Sequence, residues 1–152
     1  MTAIGHRVRA SRPSPASRRV GYVVSIVVNA VALYVVVNLL AWNWLPFLTD
    51  EFAQVLPLLR LSLLATIAVN LVYLWYDPPA FRSIMQIGLS AIAVAVALRV
   101  YNVYPFDFSQ YGPAWDVAAR VLLILAIVGT IIGIVVEIVR FARAMGDASA
   151  EQ

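Results

Sequence analysis

The chain reads as four long apolar runs separated by three short polar or aromatic breaks. The first, residues 20–45, carries no charge and exceeds the roughly 20 residues a helix needs to cross a bilayer. Its many valines would favour a strand in water, but a charge-free run of this length predicts a membrane helix. Three further spans follow at 52–76, 81–103 and 116–140. The small-x-small triplet Ala30-Val31-Ala32 has the form of a signal-peptide cleavage site. The apolar run continues well past it, which predicts an uncleaved first span.

The breaks have their own logic. Thr49 stands where it can cap the second helix, with Asp50 and Glu51 in the first turn facing the positive end of the helix dipole. Pro57 comes early enough in that span for a kink to be tolerated. Asp77-Pro78-Pro79 stops the helix, because neither proline donates a backbone hydrogen bond. So few residues separate spans two and three that they must form a tight antiparallel hairpin. Trp42, Trp44 and Phe47, and at the opposite end Tyr73, Trp75 and Tyr76, mark interfaces where amphipathic rings settle. The aromatic segment 104–115 suits the headgroup layer. The expected fold class is an all-α membrane protein, a four-transmembrane-helix antiparallel bundle.

Charge sets the expected orientation. All eleven basic residues are arginine. Arg7, Arg9, Arg12, Arg18, Arg19, Arg82, Arg140 and Arg143 fall on one side of the four spans. The two connections on the other side hold Asp50, Glu51 and Asp107, with Asp116 at the next helix start. The positive-inside rule then places both termini in the cytoplasm. Residues 1–19 read as a disordered basic tail able to touch anionic lipid headgroups or simply to enforce orientation. Residues 20–143 form the transmembrane domain, and 144–152 a polar cytoplasmic tail. The lack of lysine and the wealth of alanine and valine suggest a GC-rich bacterial gene, hence a multi-pass protein of the plasma membrane.

Composition narrows the chemistry. Of 152 residues, 62% are hydrophobic and 12% charged, about half the charge of a soluble domain. No cysteine is present, which removes disulfides, thiolate metal sites and cysteine nucleophiles. The one histidine, His6, lies in the tail, so zinc ligation and histidine base catalysis have little to build on. No enzyme activity, metal or cofactor is expected. Five tail arginines without interleaved aromatics also make a poor nucleic-acid platform.

Arg60, Arg99 and Arg120 lie inside the spans, and an ionisable residue there is a functional candidate. Each stands 17 residues from the far boundary, marked by Asp77, Arg82 and Glu137 respectively. At 1.5 Å per residue that is roughly 25 Å, just beneath the outer interface. Two readings compete: a basic pocket for a lipid headgroup, carboxylate or phosphate, or separate arginines that snorkel and pair locally. Asp116 and Arg120, at i,i+4, could form such a pair.

Small or polar residues give each span an expected inner face. Ser25, Asn29, Ala32 and Asn43 mark it in span one, and Ser62, Ala65, Thr66, Asn70 and Tyr73 in span two. Span three offers Gly88, Ala91, Ala95, Arg99 and Asn102, and span four Ala126, Gly129, Gly133, Glu137 and Arg140. Asn29, Thr66, Asn70 and Asn102 would form a polar seam, serving helix packing or a solute path. It has no acid at mid-depth to relay protons or bind a cation. Gly129 and Gly133 make a GxxxG pair for contact within the bundle or with another chain. Glu137 is placed to pair with Arg140 or Arg82. The functional expectation is an accessory, scaffolding or oligomer-forming membrane component whose partners are lipid, a second copy or a larger complex. The alternative is a small transporter, channel or lipid-binding protein that recognises an anion through the three arginines.

Overall fold

A computed structural model describes residues 15–150, with side chains described for 16–139 and 141–142. Arg7, Arg9, Arg12 and His6 lie outside the described residues, as do the side chains of Arg140 and Arg143. Every regular element among the described residues is helical: α1 (Pro15–Trp42), a short 3-10 turn (Asp50–Gln54), α2 (Leu56–Trp75), α3 (Pro79–Val103) and α4 (Pro113–Ala150). Each of the four long helices contains a stretch long and apolar enough to cross a membrane.

The boundaries differ from the expected ones in instructive ways. Helix α1 starts before the apolar run, so Arg18 and Arg19 are helical rather than part of a loose tail. It stops at Trp42 because Asn43 takes a left-handed conformation, φ 50°, which asparagine tolerates better than most residues. Thr49 caps only the 3-10 turn, and through its backbone: Phe52 N–H donates to Thr49 O at 3.0 Å, while the Thr49 hydroxyl is buried without a partner. Helix α2 then begins afresh, with Pro57 in its first turn, where a missing N–H costs nothing. Helix α3 starts at Pro79 for the same reason. Helix α4 runs on through the expected polar tail to Ala150.

The helices alternate in direction. Arg18, early in α1, pairs with Asp77 just beyond α2. Ser83 near the start of α3 meets Glu137 late in α4. The helices pack in chain order: α1 on α2, α2 on α3 and α3 on α4, and among the described residues no other pair of long helices brings its backbones together. Chain order is therefore spatial order.

The row has two distinct ends. At one, hereafter the loop end, residues 43–49 and 104–112 form a cap. Thr49 N–H donates to Pro105 O at 3.0 Å and Asp107 N–H to Phe47 O at 2.7 Å, bridging the two connections. Val55 is 0% exposed, Pro105 is under 2% and Phe52 is 7%. They form the most enclosed part of the chain, and Phe47, Phe106 and Phe108 stack above them. The aromatic segment expected at the headgroup layer is thus folded against the first connection. The opposite, basic end carries Arg18, Arg19, Asp77 and Arg82.

Burial elsewhere is sparse, and it corrects two of the expected faces. In α2 the stripe Ser62, Ala65, Thr66, Asn70 and Tyr73 is indeed half-buried or buried. In α3, however, Gly88, Ala91, Ala95, Arg99 and Asn102 are all exposed. In α4 the face on α3 is Leu123, Ile127, Thr130, Ile134 and Glu137, half-buried, whereas Ala126, Gly129 and Gly133 are exposed. In lipid a leucine gains nothing from turning inward, so polarity and size alone do not choose the packed face.

Candidate functional site

The three arginines share no hydrogen-bond or ion-pair partner among the described residues. Arg120 is held locally, with its Nε donating to Asp116 Oδ2 at 3.1 Å and its guanidinium 3.8 Å from the centre of the Tyr104 ring. The Tyr104 hydroxyl donates to Asp116 Oδ1 at 2.7 Å, completing a three-residue knot between the ends of α3 and α4. Arg99 Nε donates to Gln54 O at 3.4 Å, a tether onto the 3-10 turn. Arg60 is exposed and has no ion pair or hydrogen bond among the described residues.

Tyr104 itself has a left-handed backbone, φ 44°, at the C-cap of α3. The hydroxyl bond and the overlying guanidinium anchor the side chain against the cost of that conformation. Burial, and then the hydrogen bond to Asp116, push the phenol up to about 12. The folded state therefore favours the neutral phenol. Its contribution to stability is complete below the ordinary tyrosine value near 10 and is lost as pH rises from there through about 12. The expected result is an unfolding temperature that falls over that window, and falls less in Tyr104→Phe. Thermal unfolding in mild detergent at stepped pH checks it. Asp107, in the cap, is held below the usual carboxylate range by the Ser109 N–H that donates to it.

A second group of polar side chains lies toward the basic end. Helices α1 and α3 flank α2 and approach each other only through side chains, Tyr22 with Arg82 among them, leaving a cleft of about 410 Å³ floored by α2. Ser62, Thr66, Asn70 and Tyr73 form the floor, Tyr22 and Ser25 one wall, and Arg82, Gln86 and Ser90 the other. The sequence explains the alignment: Ser62, Thr66 and Asn70 recur every four residues, as do Arg82, Gln86 and Ser90, so each set shares one helix face. Counted from Trp75 at 1.5 Å per residue, the floor reaches roughly 20 Å into the helical layer.

Some of these groups are satisfied within their own helix. Thr66 donates to Ser62 O and Asn70 to Thr66 O, at 2.9 and 2.8 Å. Asn29 similarly donates to Ser25 O. The Tyr73 hydroxyl crosses to Arg82 O at 3.2 Å, and its ring packs 5.2 Å from that of Tyr22. Others are not: the buried Tyr22 hydroxyl faces the Arg82 guanidinium without reaching good hydrogen-bond geometry, and neither Gln86 nor Ser90 makes a side-chain hydrogen bond among the described residues. Of the expected seam, Thr66 and Asn70 line this cleft, Asn29 lies on the α1–α2 side, and Asn102 is exposed near the opposite end.

Gln86, Ser90 and Tyr22 were not among the sequence candidates, and Arg82 was named only as a partner for Glu137. The four-residue spacing of Arg82, Gln86 and Ser90 was the available signal, overshadowed in span three by the more conspicuous run of glycine and alanine. Glu137 accepts a hydrogen bond from Ser83 Oγ at 2.8 Å; its expected pairing with Arg140 involves a side chain outside the described residues.

The fold thus defines a chain of four apolar helices able to form a multi-pass membrane protein. Comparison with known proteins finds no family model, curated protein or solved structure that matches it.

Proposed function

We propose that the protein is a non-enzymatic component of a bacterial plasma membrane, with both termini cytoplasmic, that acts by helix association, in the first place with a second copy of itself. The observation that carries this reading is the outward face of α4. That helix packs on α3 alone, and a side chain added at Gly129 or Gly133 would meet nothing within 4 Å. Leu122, Leu125 and Ile132 stand beside the glycines at 67%, 60% and 58% exposure. A shallow glycine track edged by aliphatic ridges is self-complementary about a twofold axis, and it allows backbones to approach where lipid supplies no hydrophobic drive. The orientation rests on the arginine bias alone.

Joint replacement Gly129→Leu and Gly133→Leu is expected to weaken the dimer about tenfold or more, since bulk at both positions blocks the close approach. Native mass spectrometry from mild detergent, with energy transfer between labelled copies in bilayers, measures it. A wild-type chain that is monomeric in both settings overturns the self-association reading. Reproducible co-purification of one other membrane protein, lost in the double variant, would replace the second copy by that partner. Anion recognition by Arg60, Arg99 and Arg120 has less support, because Arg120 is already committed to Asp116 and Tyr104.

A further inference from the structure

The cleft between α1 and α3 poses a physical problem that the chain does not solve by itself. It opens toward the space that lipid would fill. Yet its lining includes a carboxamide and a serine with no protein partner among the described residues, and a buried phenol whose hydroxyl stands beside the Arg82 guanidinium. Unsatisfied polar groups at membrane depth are costly, so polar matter must fill the space. At about 410 Å³ the cleft falls within the range of small-ligand sites.

The character of that matter follows from the lining. The guanidinium of Arg82 stands at the basic end of the cleft beside the Tyr22 phenol. Arg18 and Arg19 border an adjoining cavity that shares Tyr22 and Tyr73. The acid there, Asp77, is already paired with Arg18 at 3.2 Å, and no carboxylate lines the main cleft. The mouth is therefore cationic. Deeper in, neutral hydroxyls and amides alternate with Leu89 and Ala93, a lining that suits a hydroxylated carbon skeleton. A cation followed by a ladder of neutral donors and acceptors matches a phosphate that carries a small hydroxylated group.

We propose that this cleft binds a phosphate bearing a polyol, of glycerol-phosphate type, with the phosphate at Arg82 and the hydroxyls along Tyr22, Asn70, Gln86 and Ser90. That chemistry has two sources: the headgroup of a glycerol-bearing anionic lipid, entering sideways between α1 and α3, or a free polyol phosphate, entering from the basic end. The site is separate from the α4 face, so its failure would leave the association reading untouched.

The experiment uses the full chain in uncharged detergent, titrated with phosphatidylglycerol, with phosphatidylcholine and with free glycerol phosphate. Native mass spectrometry and thermal unfolding are the readouts. Phosphatidylglycerol is expected to bind about tenfold or more tightly than phosphatidylcholine, the value of a charge-assisted hydrogen bond. Arg82→Gln and Gln86→Leu should each remove most of that preference, while Arg60→Gln, at the other end of α2, should not. Gln86→Leu breaks no bond within the fold, so it remains informative if Arg82→Gln is unstable. Stabilisation by free glycerol phosphate assigns the soluble source, and its absence alongside phosphatidylglycerol preference assigns the lipid. The proposal is overturned if neither anionic ligand binds better than phosphatidylcholine, or if both cleft variants bind as the wild type does.

Discussion

Val55→Asp is expected to destroy the four-helix fold rather than merely weaken it. Val55 is 0% exposed and sits where the 3-10 turn hands over to α2, its N–H donating to Phe52 O and its carbonyl accepting from Leu59 N–H. Burying such a side chain stabilises by about 1.5–3 kcal/mol, and the substitution forfeits that. It also places a carboxyl group in a fully enclosed space, a penalty of several kcal/mol even if the group stays protonated. A total above about 4 kcal/mol approaches the whole stability of an ordinary domain. Val55→Ala, which adds no charge, should cost about 2 kcal/mol and keep the fold. Denaturant unfolding in micelles, followed by tryptophan fluorescence, separates the two. An aspartate variant that unfolds with the wild-type midpoint would mean that the cap is not where the chain is held.

The second large effect is expected at the opposite end. Tyr73 is 5% exposed and joins three helices. Its ring packs 5.2 Å from Tyr22 of α1 and 6.1 Å from Phe81 of α3. Its hydroxyl donates to Arg82 O. Tyr73→Ala should cost about 3–5 kcal/mol, the usual range for emptying a buried aromatic site. Tyr73→Phe, which loses only the hydrogen bond, should cost about 1 kcal/mol. The same unfolding assay reads both. Equal losses in the two variants would show that the hydroxyl, not the ring, makes the joint.

The spans were legible because length and the absence of charge suffice to mark a helix that can live in lipid, and prolines 78 and 79 leave little freedom over where a hairpin turns. The inner face of α2 was legible too. It has a neighbour on each side, so its serine, threonine and asparagine point inward on any packing. The faces of α3 and α4 were not. Gly88, Ala91, Gly129 and Gly133 look like contact residues, yet Leu123, Ile127 and Ile134 make the α3–α4 contact, because large aliphatic side chains pack as well on a helix as on lipid. The local pair Asp116–Arg120 could be seen from its spacing, but not the Tyr104 ring beneath it, which depends on a left-handed cap. The cleft at Arg82 was missed for a related reason. It exists because α1 and α3 stay apart, and separation between helices leaves no mark on either helix's own sequence.

The row-like order of the helices also bears on how the chain is made. Each long helix packs only on those that immediately precede and follow it in synthesis, so α1 and α2 can settle against each other before α3 has emerged. None needs to wait for a distant partner or to thread past one already in place. Topologies rich in such near contacts assemble quickly. The cap is the exception: residue 48 meets residue 106 only after three helices have been laid down. That joint must wait for α1, α2 and α3, and a slow or faulty closure would leave two hairpins side by side, inserted but not yet locked.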